Sequence, residues 1–171
     1  MLVDSLHTPI HLKKGEHFLE QGKLCTRIGR LIQGVMRGYV LDADGNEIST
    51  HFYQEGDMII GSYIPNVPTS MSLQALEDCE LSTADYATVM DLVNKNSEIT
   101  AIITQTFERL NAQLQSRLVS LLNLNSLEKY QLFLQEYPRL INRIPHYYVA
   151  NFLGITPTQL SRARKKLTEK N

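Results

Sequence analysis

The clearest chemical signal is a run of side chains near the C-terminal end that can bond to bases or neutralise phosphates: Thr158, Gln159, Ser161, Arg162, Arg164, Lys165 and Lys166. Glutamine pairs with adenine and arginine with guanine, while threonine and serine contact either bases or phosphates. The last three cations are better placed for phosphates. The run therefore predicts contact with double-stranded DNA.

Two short helical patterns position this run. The first, 146–153, stops at Gly154, and the second opens with Thr156 as N-cap, Pro157 at the first helical position and Gln159 three residues after the cap. This is helix-turn-helix spacing, in which a glycine permits the sharp turn. The predicted internal packing uses Val149, Ala150, Leu153, Ile155, Leu160 and Leu167. The alternative is a plain helical hairpin in a bundle.

Charge is unevenly distributed along the 171 residues, although the net charge is only −1. Residues 139–171 hold seven basic side chains and one acidic one, whereas residues 1–138 hold ten basic and seventeen acidic ones. Such asymmetry favours a polyanionic partner for the basic end. A solvated charged tail is the alternative.

The sequence gives little support for a metal site, a cofactor, catalysis, disulfides or a membrane span. The five histidines lack metal-ligand spacing, and no GxGxxG, P-loop or GxSxG motif occurs, so we expect no metal, no cofactor and no enzymatic activity. Cys25 and Cys79 stand alone, which predicts a reducing, cytoplasmic location rather than a disulfide scaffold. No apolar run approaches the roughly 20 residues that span a bilayer, so no membrane contact is expected.

Residues 10–81 read as short strands separated by glycines, which predicts a barrel, roll or sandwich. One hairpin is well marked, with strands at 35–41 and 47–53 around Asp42-Ala43-Asp44-Gly45-Asn46. A calcium loop is an alternative for this turn, but the 12-position ligand spacing is absent. A solvated hairpin turn is favoured.

The chain then becomes helical, with a short helix expected over 83–95 and a long one starting at Ser97. The long helix carries a coiled-coil-like seam, with Arg117 in one of its slots: Ile103, Phe107, Leu110, Leu114, Leu121 and Leu124. A second apolar stripe comprises Ile99, Ile102, Leu118 and Leu122. One stripe can cover the strand domain and the other a second copy of the helix. A further helix is expected from Ser126, as N-cap, to about Tyr137, ended by Pro138.

Four segments carry a family resemblance: 12–22 (LKKGEHFLEQG), 34–39 (GVMRGY), 74–81 (QALEDCEL) and 155–162 (ITPTQLSR). The chain resembles the Crp/Fnr family of bacterial transcription regulators, and is most similar to a Bacteroidetes-like branch. The resemblance covers about 11–167. It implies an α+β fold, with an N-terminal β-roll (a cyclic-nucleotide-binding-like jelly roll), a long dimerisation helix and a C-terminal helix-turn-helix domain. We place these at 1–96, 97–124 and 125–171.

The segment 61–72 departs from this family. Nucleotide-binding relatives carry a phosphate-binding cassette with a ribose-binding Glu and a phosphate-binding Arg, and Ser62 and Ser70 stand at those positions here. The cassette contains no basic residue, so a phosphate would lose its charge-assisted partner. The effector-pocket candidates are Arg37, Gly61, Ser62, Ser70 and Met71. We expect no response to cyclic AMP and either an unidentified small-molecule effector or none.

Two functions follow from these patterns. The first is a homodimeric DNA-binding transcription regulator, whose dimer interface uses Ile103, Phe107, Leu110, Leu114 and Leu121. The second is a small-molecule sensor module whose helical end contacts protein instead of DNA. The basic last helix favours the first.

Overall fold

The computed structural model describes residues 8–62, 64, 66–93 and 95–169. The chain divides into two compact units, Met1–Phe107 and Glu108–Asn171. The first unit is built on eight strands: β1 (Thr8–Leu12), β2 (His17–Leu19), β3 (Arg27–Gln33), β4 (Met36–Leu41), β5 (Glu47–Tyr53), β6 (Met58–Ile59), β7 (Ser72–Ala75) and β8 (Cys79–Asp85). The helices are α1 (Tyr86–Val93), α2 (Ser97–Asn123), α3 (Ser126–Glu136), α4 (His146–Leu153) and α5 (Pro157–Thr168).

The strands form two antiparallel four-stranded sheets that pack as a β-sandwich. One sheet has the order β1-β8-β3-β6 and the other β2-β7-β4-β5. Alternate residues of both sheets point inward, as strand geometry requires. The resulting core is Leu19, Leu31, Met36, Tyr53, Ile59, Leu73, Ala75, Cys79 and Leu81. The β-rich organisation expected from the glycine spacing is confirmed.

The predicted hairpin is present between β4 and β5. The Asp42 carboxylate accepts backbone hydrogen bonds from Asp44 and Asn46 at 2.9 and 2.8 Å, and Gly45 has φ +82°. Asparagine and aspartate favour such turns because the side chain replaces a backbone acceptor. These bonds hold the pKa of the Asp42 carboxyl below its usual value, the Asn46 bonds being the larger cause.

The helix expected over 83–95 begins later than predicted. Thr83 and Ala84 belong to β8, where they pair with Gly29 and Ile28 of β3. Asp85 ends the strand, and its carboxylate accepts hydrogen bonds from the Thr88 N–H and hydroxyl at 2.8 and 2.7 Å. Because this carboxylate caps the first turn, the helix starts at Tyr86.

Two further caps lie one residue before the predicted ones. Asn96 Oδ1 accepts from the backbone N–H of Glu98 at 2.9 Å, so Asn96 caps α2 in place of Ser97. Asn125 caps α3 in place of Ser126, and the Glu128 side chain bonds back to the Asn125 N–H at 2.9 Å to complete a capping box. α3 itself lies where the sequence predicts it, ahead of Pro138.

Candidate nucleic-acid interface and effector pocket

The turn between α4 and α5 contains the glycine C-cap and the threonine N-cap that the sequence predicts. Gly154 ends α4 in the left-handed region, with φ +62°, and a Cβ there would lie 2.9 Å from Leu121 Cδ2. Thr156 Oγ1 accepts from the Gln159 N–H at 3.2 Å, and Gln159 Oε1 accepts from the Thr156 N–H at 2.8 Å. These two bonds form the capping box predicted for α5, which is confirmed, and Pro157 occupies the first turn of the helix as predicted.

The inner faces of these two helices are apolar. The predicted residues Val149, Ala150, Leu153 and Leu160 are buried, and Ile155 and Leu167 are half-buried. Phe152 and Ala163 are also buried and were not predicted. This packing fixes the rotation of α5 about its own axis, so its opposite face is turned to solvent.

The outward face of α5 carries most of the predicted DNA-contacting side chains. Six of the seven are exposed: Thr158, Gln159, Ser161, Arg162, Lys165 and Lys166. Gln159 also contributes to the helix cap, because its carbonyl oxygen accepts from the Thr156 N–H and its amide N–H groups are left to donate. Lys165 lies 3.8 Å from Glu169, a contact between exposed groups that is easily broken.

Arg164 differs from its neighbours because it is half-buried and turned toward the start of α4. Its Nη1 lies 2.9 Å from His146 Nδ1. Burial, and then the charge of Arg164, lower the pKa of His146. The structure therefore places the predicted phosphate contact Arg164 beside His146 rather than on the open face of α5.

The sequence did not indicate that the start of α3 lies beside the basic face of α5. Asn125, Ser126 and Leu127 line one open groove of about 580 Å³ together with Gln159, Arg162, Ala163, Lys165, Lys166 and Glu169. The signal that marks this helix start is the Asn125-x-x-Glu128 capping box. Because the N-terminal end of a helix favours anions, the groove combines a helix start with three cations.

The candidate effector loop lies between β6 and β7. A Cβ on Gly61 would collide with Leu19 Cδ2, and Met71 packs on the sandwich core. The Ser62 hydroxyl is used within the loop, where it accepts from the Ile64 N–H at 3.1 Å. Ser70 is exposed. The structure therefore brings Gly61 and Met71 to the core and leaves the two serines outside it.

The contacts that the structure describes for Arg37, the remaining effector-pocket candidate, are with residues of β4, β5 and β7. Arg37 alternates with the core residue Met36 and so lies on the other face of its sheet, 99% buried. Its Nε and Nη2 donate to Gln74 Oε1 at 3.0 and 2.8 Å, and Nη2 also pairs with Glu47. Its guanidinium lies 4.3 Å from the Tyr39 ring centroid. Arg37 thus links its own strand β4 to β5 and β7 through side-chain contacts.

The two apolar stripes of α2 are distributed differently from the prediction. Ile103, a predicted interface residue, packs on the Ile28 cluster of the first unit. Leu121 faces Gly154, and Leu110 is half-buried. The large apolar side chains of α2 that remain exposed are Ile102, Phe107, Leu114, Leu118, Val119, Leu121 and Leu122.

Within the described residues, no group of three or more His, Cys, Asp or Glu side chains is arranged to hold a metal ion. None of the described helices is long and apolar enough to cross a membrane.

Comparison with known proteins identifies the first unit. Residues 9–96 match the family model described as the cyclic nucleotide-binding domain. No curated protein sequence matches the chain.

Solved structures share the fold over nearly the whole chain. FixK2 from Bradyrhizobium japonicum superposes with a TM-score of 0.86 at 16% identity, covering 96% of this chain and 85% of that one. A CooA variant from Carboxydothermus hydrogenoformans gives 0.79 at 15% identity, covering 99% and 80%. A transcriptional regulator described as Crp/Fnr family from Eubacterium rectale gives 0.76 at 17% identity, covering 99% and 82%.

Proposed function

Because this chain belongs to the cyclic nucleotide-binding domain family, we propose that it is a homodimeric, DNA-binding transcription regulator of the Crp/Fnr type. The observation that carries the proposal is the exposed polar and basic face of α5. The structural neighbours support it, since one of them is described as a regulator of that family. In this reading α4, the Gly154 turn and α5 form a helix-turn-helix, and α5 enters the major groove.

The residues of α5 divide into two roles. Thr158, Ser161 and Arg162 occupy the first two turns of the helix, where recognition helices meet base edges. Lys165 and Lys166 come one turn later and neutralise phosphates. The amide of Gln159 also faces the groove, although its carbonyl oxygen is held by the Thr156 cap.

Dimerisation through α2 uses a seam shifted from the predicted one. Phe107, Asn111, Leu114 and Leu118 are exposed and follow one another at steps of four, three and four residues, the spacing of a two-helix seam. Asn111 at such a position disfavours other registers and oligomers. The predicted Phe107 and Leu114 stay in this seam, whereas Ile103 belongs to the core of its own unit.

The proposed regulator does not respond to cyclic AMP. The β6–β7 loop offers no cation for a phosphate, and Leu19 occupies the space in front of Gly61. We also assign it to the cytoplasm and to a Bacteroidetes-like branch of the family, on the cysteine usage and the sequence resemblance respectively. Its effector, if it has one, is a different small molecule.

The test measures the affinity of the full chain for random-sequence duplex DNA by fluorescence anisotropy at several salt concentrations. The proposal expects affinity to fall steeply with salt, and to be lost when Arg162, Lys165 and Lys166 are all replaced by alanine. The matched control replaces Lys13, Lys14 and Lys23 of the first unit by alanine and should keep its affinity. Equal loss in both triple variants would refute a specific role for α5. No DNA binding by the wild-type chain would refute DNA binding and favour a sensor that acts through protein contacts.

A further inference from the structure

A partly open apolar cavity lies outside the β-sandwich core, within the first unit. It is a cavity of about 60 Å³ between the β3-β6-β8 face and helices α1 and α2. Its lining residues are Ile28, Gly29, Arg30, Met58, Ser82, Ala84, Val89, Leu92, Ile99, Ile102 and Ile103. Its walls expose only apolar atoms.

This cavity is separate from the effector loop. A Cβ on Gly29 would contact Leu81 and Phe18, so the neighbouring Ile28 and Arg30 point away from the sandwich core. The loop residues Gly61 and Met71 face that core and line no part of the cavity. An occupant of the cavity would therefore touch the outer face of the sheet.

Arg30 gives the cavity a charged mouth. Its side chain is exposed, and it makes no hydrogen bond or ion pair with any residue that the structure describes. Since the walls expose only apolar atoms, the aliphatic stem of Arg30 forms part of the lining and its guanidinium lies in solvent at the rim. A cation beside an apolar slot is complementary to a ligand with an apolar tail and an anionic head.

We propose that this cavity binds a short-chain carboxylate, with its alkyl tail inside and its carboxylate on Arg30. One water-sized sphere needs roughly 10–15 Å³, so the cavity accommodates a tail of about four carbons. Ile99, Ile102 and Ile103 of α2 would contact this tail. Binding of the carboxylate does not depend on the proposed DNA contact. It would couple the carboxylate to α2, the helix through which we propose that the chain dimerises.

The experiment titrates pentanoate into the ¹⁵N-labelled full chain and follows the amide resonances of the lining residues. The proposal expects saturable shifts with a dissociation constant on the order of millimolar, because only a few methylenes are buried. Acetate, which has the charge without the tail, should give no saturable shifts. 1-Pentanol should bind several-fold more weakly than pentanoate.

Variants separate the tail contact from the charge contact. Val89→Phe fills the cavity and should abolish the shifts, and Ala84→Leu is a second filling variant in case the first misfolds. Arg30→Gln should weaken pentanoate about threefold to tenfold and leave 1-pentanol unchanged. Lys23→Gln is the control and should change neither. Absence of saturable shifts in the wild-type chain, or shifts that both filling variants retain, would overturn the proposal.

Discussion

The guanidinium of Arg117 lies over the ring of Phe152, 4.5 Å from its centroid, and Arg117 Nε donates to the Phe152 carbonyl oxygen at 3.2 Å. Phe152 is the penultimate residue of α4, so its carbonyl lacks an intrahelical partner. The Arg117 side chain of α2 thus stacks on a buried aromatic ring and supplies a hydrogen-bond donor to a backbone carbonyl at the C-terminal end of α4. Burial lowers the pKa of this arginine, yet the group stays charged at any physiological pH.

This contact predicts a stability loss when the arginine is replaced. Arg117→Ala should lower the free energy of unfolding by about 1–3 kcal/mol, because it removes a half-buried cation–π contact and a charge-assisted hydrogen bond. Arg117→Lys should recover only part of this, because lysine lacks the planar donor group. Urea unfolding followed by circular dichroism measures both. Exposed Arg139→Ala is the control, and an equal loss in it would contradict the specific role of Arg117.

The same contact shows what the helical pattern predicts and what it leaves open. The apolar spacing of α2 predicts a long helix with two apolar faces, and the helix is present. The spacing places Arg117 in an apolar seam, whereas the structure pairs it with Phe152, 35 residues later. Periodicity reports which residues share a face, but the identity of the element that covers the face depends on tertiary packing.

Helix caps give a second instance of this limit. Asn96-Ser97 and Asn125-Ser126 each offer two neighbouring residues that can cap, and asparagine takes the position in both pairs. Propensity does not separate them, because asparagine and serine cap about equally well. Thr156 has no such competitor, since proline follows it, and its cap was predicted correctly.

The contacts of Arg37 are a third instance, because nothing in the sequence near Arg37 indicates that Glu47 and Gln74 bind it.

The proposed seam predicts that the oligomeric state depends on the exposed stripe of α2. Leu114→Glu combined with Leu118→Glu should convert a dimer to a monomer, because it places carboxylates where two apolar side chains would be buried. Sedimentation velocity measures the change. Ala112→Glu combined with Gln115→Glu adds two acidic groups beside the stripe and should stay dimeric. A dimer that survives the leucine pair would show that α2 does not form the interface through this stripe.

Cyclic AMP and cyclic GMP should not bind with micromolar affinity. The β6–β7 loop has no basic residue, the Ser62 hydroxyl bonds within the loop, and Leu19 fills the adjacent space. Isothermal titration calorimetry of each nucleotide tests this. Leu19→Ala opens the space without adding a cation and should also fail to bind. Binding by that variant alone would show that packing, rather than the missing charge, excludes the nucleotide.

His146 predicts a pH effect on stability. Burial and Arg164 lower its pKa in the folded chain, so the unfolded chain binds more protons at this site. Stability should therefore fall as the pH drops below the unfolded pKa of about 6.5, and this contribution levels off below the folded pKa. Urea unfolding midpoints, measured at several pH values from below the folded pKa up to pH 8, give the slope of stability against pH. His146→Gln should flatten this slope, and an unchanged slope in the variant would contradict the role of His146.

The final prediction separates base reading from phosphate contact on α5. A cognate duplex is first obtained by selection from random DNA. Arg162→Ala should then weaken cognate binding by about 1–3 kcal/mol, with little loss on random DNA, because an arginine–guanine contact discriminates between bases. Lys166→Ala should weaken both duplexes equally and reduce the salt slope by about one, because it removes one phosphate contact. If Arg162→Ala leaves the ratio of cognate to random affinity unchanged, α5 does not read bases through this residue, and the recognition-helix assignment fails.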